Sequence, residues 1–199
     1  MPPKHFSMIR SFQLADLFTI ANGCCGVGAI FHAMRFASGG RPRDLWFAAA
    51  LVPIALVFDV LDGRIARWRQ KASAMGRELD SLADVISFGV APAAIAFALG
   101  LNSALDQIAL TYFTVCGLSR LARYNITAEQ LADDSGKVRY FEGTPIPTSI
   151  IPLGLVLIAY TLDLLMPATL VGREIHLSVL IFVLSGSLMI SKTLHIPKP

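Results

Sequence analysis

Six apolar stretches divide the 199-residue sequence, and each is long enough to cross a lipid bilayer as a helix of roughly 20 mainly apolar residues. Hydrophobic residues make up 54% of the chain and charged residues only 16%, whereas soluble domains carry about a quarter charged residues. The sequence therefore predicts an all-α integral membrane protein that forms one six-helix domain over residues 1–199. The predicted transmembrane helices lie near residues 15–35, 44–65, 79–101, 104–124, 146–166 and 174–192.

The basic residues predict how this six-helix domain is oriented. Lys and Arg accumulate in short cytoplasmic loops. With both termini inside, 13 of the 17 basic residues fall on the cytoplasmic side. The other four are Arg35, Arg41, Arg43 and Arg173. We predict an N-in/C-in protein with the 66–78 and 125–145 connections in the cytoplasm, a first span that is not cleaved, and a short amphipathic segment before it on the membrane surface.

Four aspartates stand at the ends of two of the most hydrophobic stretches. Asp59 and Asp62 lie in the last turns of the second span, and Asp80 and Asp84 lie in the first turns of the third. Residues three or four apart share a helix face, so each pair faces one side and both pairs lie at the same depth. An acidic residue at mid-bilayer costs on the order of 3 kcal/mol, and four carboxylates also repel one another. The pattern predicts two divalent cations, and oxygen-only ligands favour Mg²⁺ or Mn²⁺ over zinc.

Pairing with nearby basic residues is the alternative explanation for the aspartates. Five candidates lie close in sequence: Arg64, Arg67, Arg69, Lys71 and Arg77. Such pairing would anchor the chain at the membrane interface. It does not explain why the acids share one depth and one face.

Small residues beside the aspartates indicate that something approaches this surface closely. Gly63 and Ala66 leave the helix bare next to Asp62, and Gly76 does the same at the turn before the third span. Glycine in or near a helix end costs roughly 1 kcal/mol against alanine, so it usually marks close approach. A neighbouring helix would satisfy this, but the carboxylates and arginines on the same surface favour a ligand that carries phosphate.

These positions together form a motif with fixed spacing. It runs Asp59-x-x-Asp62-Gly63-x-x-Ala66-Arg67, then eight residues, then Gly76-x-x-x-Asp80-x-x-x-Asp84. The motif resembles, without departure, the signature of the CDP-alcohol phosphotransferases. The resemblance implies that a hydroxyl attacks a phosphorus of a CDP-linked lipid or alcohol and releases CMP. It also implies a two-metal site and commonly a homodimer.

The resemblance implies a role for each motif residue. The four aspartates hold two Mg²⁺ or Mn²⁺ ions, and Asp84 is the candidate general base for the incoming hydroxyl. The expected CDP-binding residues of the motif are Gly63, Ala66, Arg67, Gly76 and Arg77. Thr19 and Asn22, polar residues on one face of the first span, are further candidates for binding the phosphates. Interhelical hydrogen bonding is the competing explanation for Thr19 and Asn22.

Three further segments narrow the choice of acceptor. SFGVAPA directly after Asp84, RLARYN at 120–125 and YFEGTPIP at 140–147 are similar to phosphatidylserine synthases of the membrane-embedded type. The similarity implies CDP-diacylglycerol and L-serine as substrates. Serine needs a cation for its carboxylate and an acceptor for its ammonium group. The candidate serine-binding residues are Arg120, Arg123, Asn125 and Glu142. Positive-inside anchoring is the alternative for the arginines, and a solvated loop is the alternative for Glu142.

Two other functions compete with this interpretation. An enzyme of the same family with glycerol phosphate or inositol phosphate as acceptor would require more clustered cations. A divalent-cation transporter would also carry intramembrane acids, but here the acids lie at one end, and transport does not explain the spacing of Ala66, Arg67 and Gly76. The expected partners are the two substrates, membrane lipid and a second copy of the chain, with no nucleic acid and with the active site at the cytoplasmic face.

Overall fold

The computed structural model describes residues 14–69, 74–127, 140–170, 172–193 and 195–197. The helices are α1 (Leu14–Ala37), α2 (Pro42–Arg69), α3 (Ala74–Asp84), α4 (Ala91–Ala98), α5 (Ala104–Thr127), α6 (Ile150–Thr161) and α7 (Leu180–Ile190). A π-helical segment (Val85–Val90) joins α3 to α4, and 3₁₀ turns (Ile146–Ser149 and Leu177–Val179) precede α6 and α7. The strands are β1 (Tyr140–Glu142), β2 (Pro167–Leu170), β3 (Arg173–His176) and β4 (His195–Pro197). The opening segment predicted to lie on the membrane surface falls outside the described residues.

Long apolar helices dominate the described chain, as the sequence predicts for a membrane protein. Three helical stretches among the described residues are long and apolar enough to cross a bilayer: Ala15–Ala37, Pro42–Ile65 and Met75–Ala98. Two shorter apolar helices cover Ile146–Thr161 and Leu177–Ile190. Helix α5 has 24 residues, which at about 1.5 Å per residue is also enough to span the hydrocarbon core.

Helix α1 is the central packing element of the site-bearing half of the molecule. It packs along α2 and also contacts α3, the π-helical segment and α4. A Cβ added to Gly26 would lie 2.5 Å from Ser87 Oγ and 2.8 Å from Ser87 Cα. Only glycine therefore allows α1 and the π-helical segment to approach this closely, as small residues do at helix contacts in membranes.

The second half of the core is built on α5 and α7, which pack against each other. Phe113 and Phe182 are almost fully buried, and their rings meet edge to face with centroids 5.0 Å apart. Gly186 of α7 lies close to the α5 backbone, since an added Cβ would be 3.1 Å from Phe113 Cα. Aromatic packing and close backbone approach thus hold α5 against α7. The C-terminal end of α5 contributes residues to the site described below.

Two buried aspartates cap helices at the end of the molecule away from Asp59 and Asp62. Asp44 accepts a hydrogen bond from the Arg41 backbone N–H at 3.2 Å, and one of its oxygens lies 3.1 Å from His32 Nδ1. Asp106 accepts from the backbone N–H of Ser103 at 3.1 Å and of His176 at 2.9 Å, and pairs with His176 Nδ1 at 2.7 Å. These carboxylates satisfy N–H groups near the starts of α2 and α5.

The observed boundaries differ from the sequence prediction in the third, fifth and sixth stretches. Helix α3 begins at Ala74, so Gly76 lies in its first turn rather than in a preceding turn. Helix α6 ends at Thr161, and the next helical residue is Leu177. An antiparallel β2–β3 hairpin fills the interval between them. Arg173 and Glu174 in this hairpin are exposed charged residues, which explains why the last helix begins later than residue 174.

Candidate active site

The predicted aspartate pairs meet where the end of α2 lies beside α3. One carboxylate oxygen from each of Asp59, Asp62 and Asp80 lies within 4.8 Å of the other two. Asp62 is only 6% exposed, and Asp59 and Asp80 are partly buried. We call these three residues the aspartate trio. Like charges this close and this far from water repel strongly unless a cation lies between them.

Three observations indicate that the aspartate trio suits a hard divalent cation. Its donors are carboxylate oxygens only, the set that Mg²⁺ and Mn²⁺ prefer. Magnesium binds oxygen at about 2.1 Å, so ligands on opposite sides of one ion are about 4.2 Å apart, close to the observed spread of up to 4.8 Å. In addition, Asp80 Oδ1 is buried and accepts no hydrogen bond from any described residue. An orphaned buried carboxylate oxygen is costly, and a cation ligated there would satisfy it.

Helix α1 supplies a hydroxyl and an amide to the aspartates. Thr19 Oγ1 donates to Asp62 Oδ2 at 2.8 Å, and Asn22 Nδ2 donates to Asp84 Oδ1 at 3.1 Å. Thr19 is 3% exposed and Asn22 is fully buried. In this structure both predicted CDP-binding residues of the first span are hydrogen-bonded to aspartates, which agrees with the interhelical alternative weighed for them.

Asp84 stands slightly apart from the aspartate trio. It is the last residue of α3, is 7% exposed, and is not part of the group within 4.8 Å. It is still close enough to Asp59 and Asp80 to interact with them electrostatically. The next turn is π-helical, a rare geometry that is frequent at functional sites. The fourth aspartate therefore has a different environment from the other three.

The motif residues expected to contact CDP lie close in sequence to the aspartates, on α2 and in the first turn of α3. Gly63 follows Asp62 directly and is partly buried, as is Gly76 in the first turn of α3. Arg77 is exposed beside Gly76. Ala66 and Arg67 belong to the helical backbone of α2, but their side chains lie outside the described residues.

The residues expected to bind serine take different positions. Arg120 is 7% exposed, lies 5.6 Å from the Tyr124 ring centroid and interacts electrostatically with Asp84. Arg123 instead donates from Nη1 to the Ile190 carbonyl at 3.0 Å, at the end of α7. Two arginines three residues apart thus have different contacts here, and Arg120 is close enough to Asp84 to interact with it electrostatically.

The other two candidates for serine binding have weaker links to the site. Asn125 Nδ2 donates to Ser81 Oγ at 2.9 Å, which links α5 to α3 next to Asp80. The Glu142 backbone belongs to β1, and its side chain lies outside the described residues.

Sequence reasoning missed Asp16 and the π-helical segment. Asp16 is 4% exposed and is three residues before Thr19, so it shares the face of α1 that carries Thr19 and Asn22. The three-residue spacing from Thr19 could have predicted that Asp16 lies on the same face of α1. The π-helical turn leaves no comparable mark in SFGVAPA, because a single extra residue per turn does not change the apolar pattern.

An apolar groove of about 410 Å³ runs along one face of α1. Its walls come from α1 and the π-helical segment: Ile20, Gly23, Cys24, Val27, Gly28, Phe31 and Ile86. It extends along α1 from Ile20 to Phe31. A larger groove of about 590 Å³ lies elsewhere, between the end of α1, α4 and α5, and none of the four aspartates lines it.

Comparison with known proteins gives consistent matches. A family model described as CDP-alcohol phosphatidyltransferase matches residues 12–191. The chain is 46% identical over 207 residues to the CDP-diacylglycerol–serine O-phosphatidyltransferase of Saccharomyces cerevisiae, with 98% of this chain and 74% of that protein covered. Proteins with the same name from Helicobacter pylori and Mycobacterium leprae are 37% and 35% identical, over 76% and 75% of this chain. The chain covers 59% of the first and 48% of the second.

Proposed function

The chain belongs to the CDP-alcohol phosphatidyltransferase family, and we propose that it transfers the phosphatidyl group of CDP-diacylglycerol to the hydroxyl of L-serine, giving phosphatidylserine and CMP. The observation that carries the proposal is the aspartate trio, with ligand oxygens within 4.8 Å at the spacing of the family signature. The printed names of the relatives from yeast, Helicobacter pylori and Mycobacterium leprae support serine as the acceptor.

In the proposed reaction the chain aligns two substrates and moves one proton. The serine hydroxyl oxygen forms a bond to the phosphorus that carries diacylglycerol, and the bond from that phosphorus to the bridging oxygen breaks. The electron pair stays on the bridging oxygen, which leaves as part of CMP. Asp84 accepts the hydroxyl proton as general base. In-line phosphoryl transfer needs mainly this positioning and charge neutralisation.

The aspartate trio would hold the divalent cations. The family motif implies Asp84 as a further ligand, but its place outside the group within 4.8 Å favours the role of general base. Bound Mg²⁺ or Mn²⁺ would neutralise the pyrophosphate and the charge that develops on the leaving oxygen. Gly63, Ala66 and Gly76 lack bulky side chains and would leave room for the nucleotide. Arg67 and Arg77 would bind its phosphates.

Arg120 is the residue we propose for the serine carboxylate. It is nearly buried and close enough to Asp84 to interact with it electrostatically, so a carboxylate bound there would bring the serine hydroxyl near the general base. A guanidinium can bind a carboxylate with two parallel hydrogen bonds. Asn125 would assist from the same helix, and Glu142 would face the ammonium group.

The groove along α1 supports a lipid as the donor substrate. Its seven lining residues are apolar or small, and it follows α1 toward the middle of the membrane. From Ile20 to Phe31 the helix rises by roughly 16 Å at about 1.5 Å per residue, a length that suits part of one acyl chain. Burial of a chain there would hold the diacylglycerol end while the aspartates hold the pyrophosphate.

We further propose a single multi-pass domain with six spans, N-in/C-in, working as a homodimer with the aspartates at the cytoplasmic face. The distribution of basic residues supports this orientation. In a variant without native cysteines, Lys71→Cys should react with an impermeant thiol reagent only from the cytoplasmic side. Arg41→Cys should react only from the opposite side.

The experiment that tests the function is CMP release by detergent-purified protein supplied with CDP-diacylglycerol, Mg²⁺ or Mn²⁺, and a panel of acceptors. We expect release to require L-serine and a divalent cation, and to be lost in Asp84→Asn. Activity with glycerol phosphate or inositol phosphate but not with serine would keep the family and refute the acceptor. Absence of release with every acceptor would refute the proposed function.

A further inference from the structure

Asn22 lies at the centre of a buried network between α1 and the end of α3. Its side chain is fully buried, and Nδ2 donates to Asp84 Oδ1 at 3.1 Å. Its backbone carbonyl accepts a hydrogen bond from Ser87 Oγ at 2.9 Å. One residue thus contacts both sides of the junction where α3 ends and the π-helical segment begins.

The orientation of the Asn22 amide has only one favourable solution. If the amide were turned over, its oxygen would face the Asp84 carboxylate, and two acceptors would oppose each other. The observed orientation leaves Asn22 Oδ1 buried without a hydrogen bond to any described residue. A buried unsatisfied oxygen lowers stability, so the hydrogen bond to Asp84 is retained at a cost to the fold. Such an exception calls for an explanation.

The backbone around Asn22 is also fixed. Gly26, one turn further along α1, touches Ser87 so closely that an added Cβ would lie 2.5 Å from Ser87 Oγ. The close approach of the two backbones at Gly26 prevents α1 from sliding along the π-helical segment. The amide of Asn22 is therefore held at a constant position relative to Asp84.

Asp84 needs such a restraint because of its neighbours. The aspartate trio lies close enough to interact with it electrostatically. Divalent cations bound by the trio would attract the Asp84 carboxylate, and a carboxylate drawn fully into the trio could not face the acceptor. Displacement of a catalytic group by about 1 Å can cost about 100-fold in rate. A neutral donor on one Asp84 oxygen opposes this movement without competing for the cations.

We propose that Asn22 is a positioning residue that holds the Asp84 carboxylate toward the incoming hydroxyl and apart from the aspartate trio. The proposal rests on the proposed function, in which Asp84 accepts the hydroxyl proton. It differs from the interpretation that Asn22 binds the CDP phosphates, and from the interpretation that Asn22 only joins two helices.

The test compares Asn22→Leu with Ser87→Ala in the full chain. Leucine has a similar size but cannot donate to Asp84. Ser87→Ala removes a hydrogen bond between the same two helices that ends on a backbone carbonyl rather than on an aspartate. For each variant we would measure the unfolding temperature, Mn²⁺ affinity, KM for CDP-diacylglycerol, and kcat for serine-dependent CMP release.

We expect Asn22→Leu to lower kcat by about 10–100-fold while KM and the Mn²⁺ dissociation constant stay within about twofold. Ser87→Ala should lower the unfolding temperature and leave kcat within about threefold, because its lost bond does not reach Asp84. If Asn22→Leu does not fold, Asn22→Ser is measured instead, since its side chain is too short to reach Asp84.

Three results would overturn the proposal. A kcat equal to wild type would show that Asp84 needs no restraint. A tenfold rise in KM for CDP-diacylglycerol with kcat unchanged would assign Asn22 to the nucleotide. Equal losses of kcat in Asn22→Leu and Ser87→Ala would assign it to helix packing. Each is read against an active wild-type protein, so an inactive wild type refutes the proposed function separately.

Discussion

Replacing Thr19 by valine tests whether Asp62 ligates a metal ion. Thr19 Oγ1 lies 2.8 Å from Asp62 Oδ2 and 3.3 Å from the Ala15 carbonyl. The hydroxyl has a single proton, and it donates that proton in the shorter hydrogen bond, to the charged oxygen of Asp62. Both side chains are buried. Valine has nearly the same shape, so the substitution removes the hydrogen bond and preserves the packing of α1 against α2.

The expected magnitude follows from the chemistry of this one bond. A hydrogen bond to a charged group contributes about 1.5–3 kcal/mol, and about 1.4 kcal/mol corresponds to a factor of ten in an equilibrium constant. Loss of a partner that orients a metal ligand typically lowers metal affinity by about 10–100-fold. We therefore predict that Thr19→Val raises the Mn²⁺ dissociation constant by about 10–100-fold.

The assay is Mn²⁺ titration of the detergent-purified protein followed by electron paramagnetic resonance, which measures free Mn²⁺ directly. Thr114→Val is the matched control, because Thr114 Oγ1 donates to the Leu110 carbonyl of its own helix at 3.0 Å. Folding of each variant is checked by its unfolding temperature. Unchanged Mn²⁺ affinity in folded Thr19→Val would refute Asp62 as an oriented ligand. So would an equal loss of affinity in the Thr114 control.

Three further predictions follow from other contacts. Arg120→Gln should raise KM for serine by about 10–100-fold, because a charged hydrogen bond to the serine carboxylate is lost. Arg123→Gln should lower only the unfolding temperature. Equal effects of the two substitutions on KM would contradict the assignment of serine binding to Arg120. Asp106→Ala should lower the free energy of unfolding by about 1–3 kcal/mol, because the backbone N–H groups of Ser103 and His176 lose their acceptor. Its kcat at low temperature should stay near wild type; a thermal melt and CMP release measure both. Cys24→Trp should fill the apolar groove along α1 and raise KM for long-chain CDP-diacylglycerol more than for a short-chain analogue. Val57→Trp, at another exposed position, should leave KM unchanged. Equal effects of the two substitutions on KM would assign the change in KM to the membrane surface rather than to the groove.

The aspartates could be predicted from the sequence because their positions follow from helix geometry alone. Spacings of three and four residues put Asp59 with Asp62, and Asp80 with Asp84, on single faces. The short 66–78 connection brings two adjacent helices together at that level. Charge in an apolar environment then makes a cation the simplest explanation. The structure accordingly brings three of the four carboxylates together within 4.8 Å.

The distinct environment of Asp84 could not be predicted in this way. It depends on Asn22, 62 residues earlier in the chain, and on a π-helical turn that single-sequence patterns do not reveal. The β2–β3 hairpin was missed because a run of apolar residues that includes short strands resembles part of a spanning helix. Arg120 and Arg123 share a helix face in the sequence pattern, yet Arg123 donates a hydrogen bond to the carbonyl of Ile190 at the end of another helix. These features all result from contacts between distant segments.

The most direct measurement of the central claim is the stoichiometry of the products. Detergent-purified protein is supplied with CDP-diacylglycerol, L-serine and Mn²⁺, and CMP and phosphatidylserine are quantified together by mass spectrometry. We predict one phosphatidylserine for each CMP, with neither product formed when the metal is removed by chelation or when Asp84 is replaced by Asn. Release of CMP with phosphatidic acid, or with no serine lipid, would contradict the account.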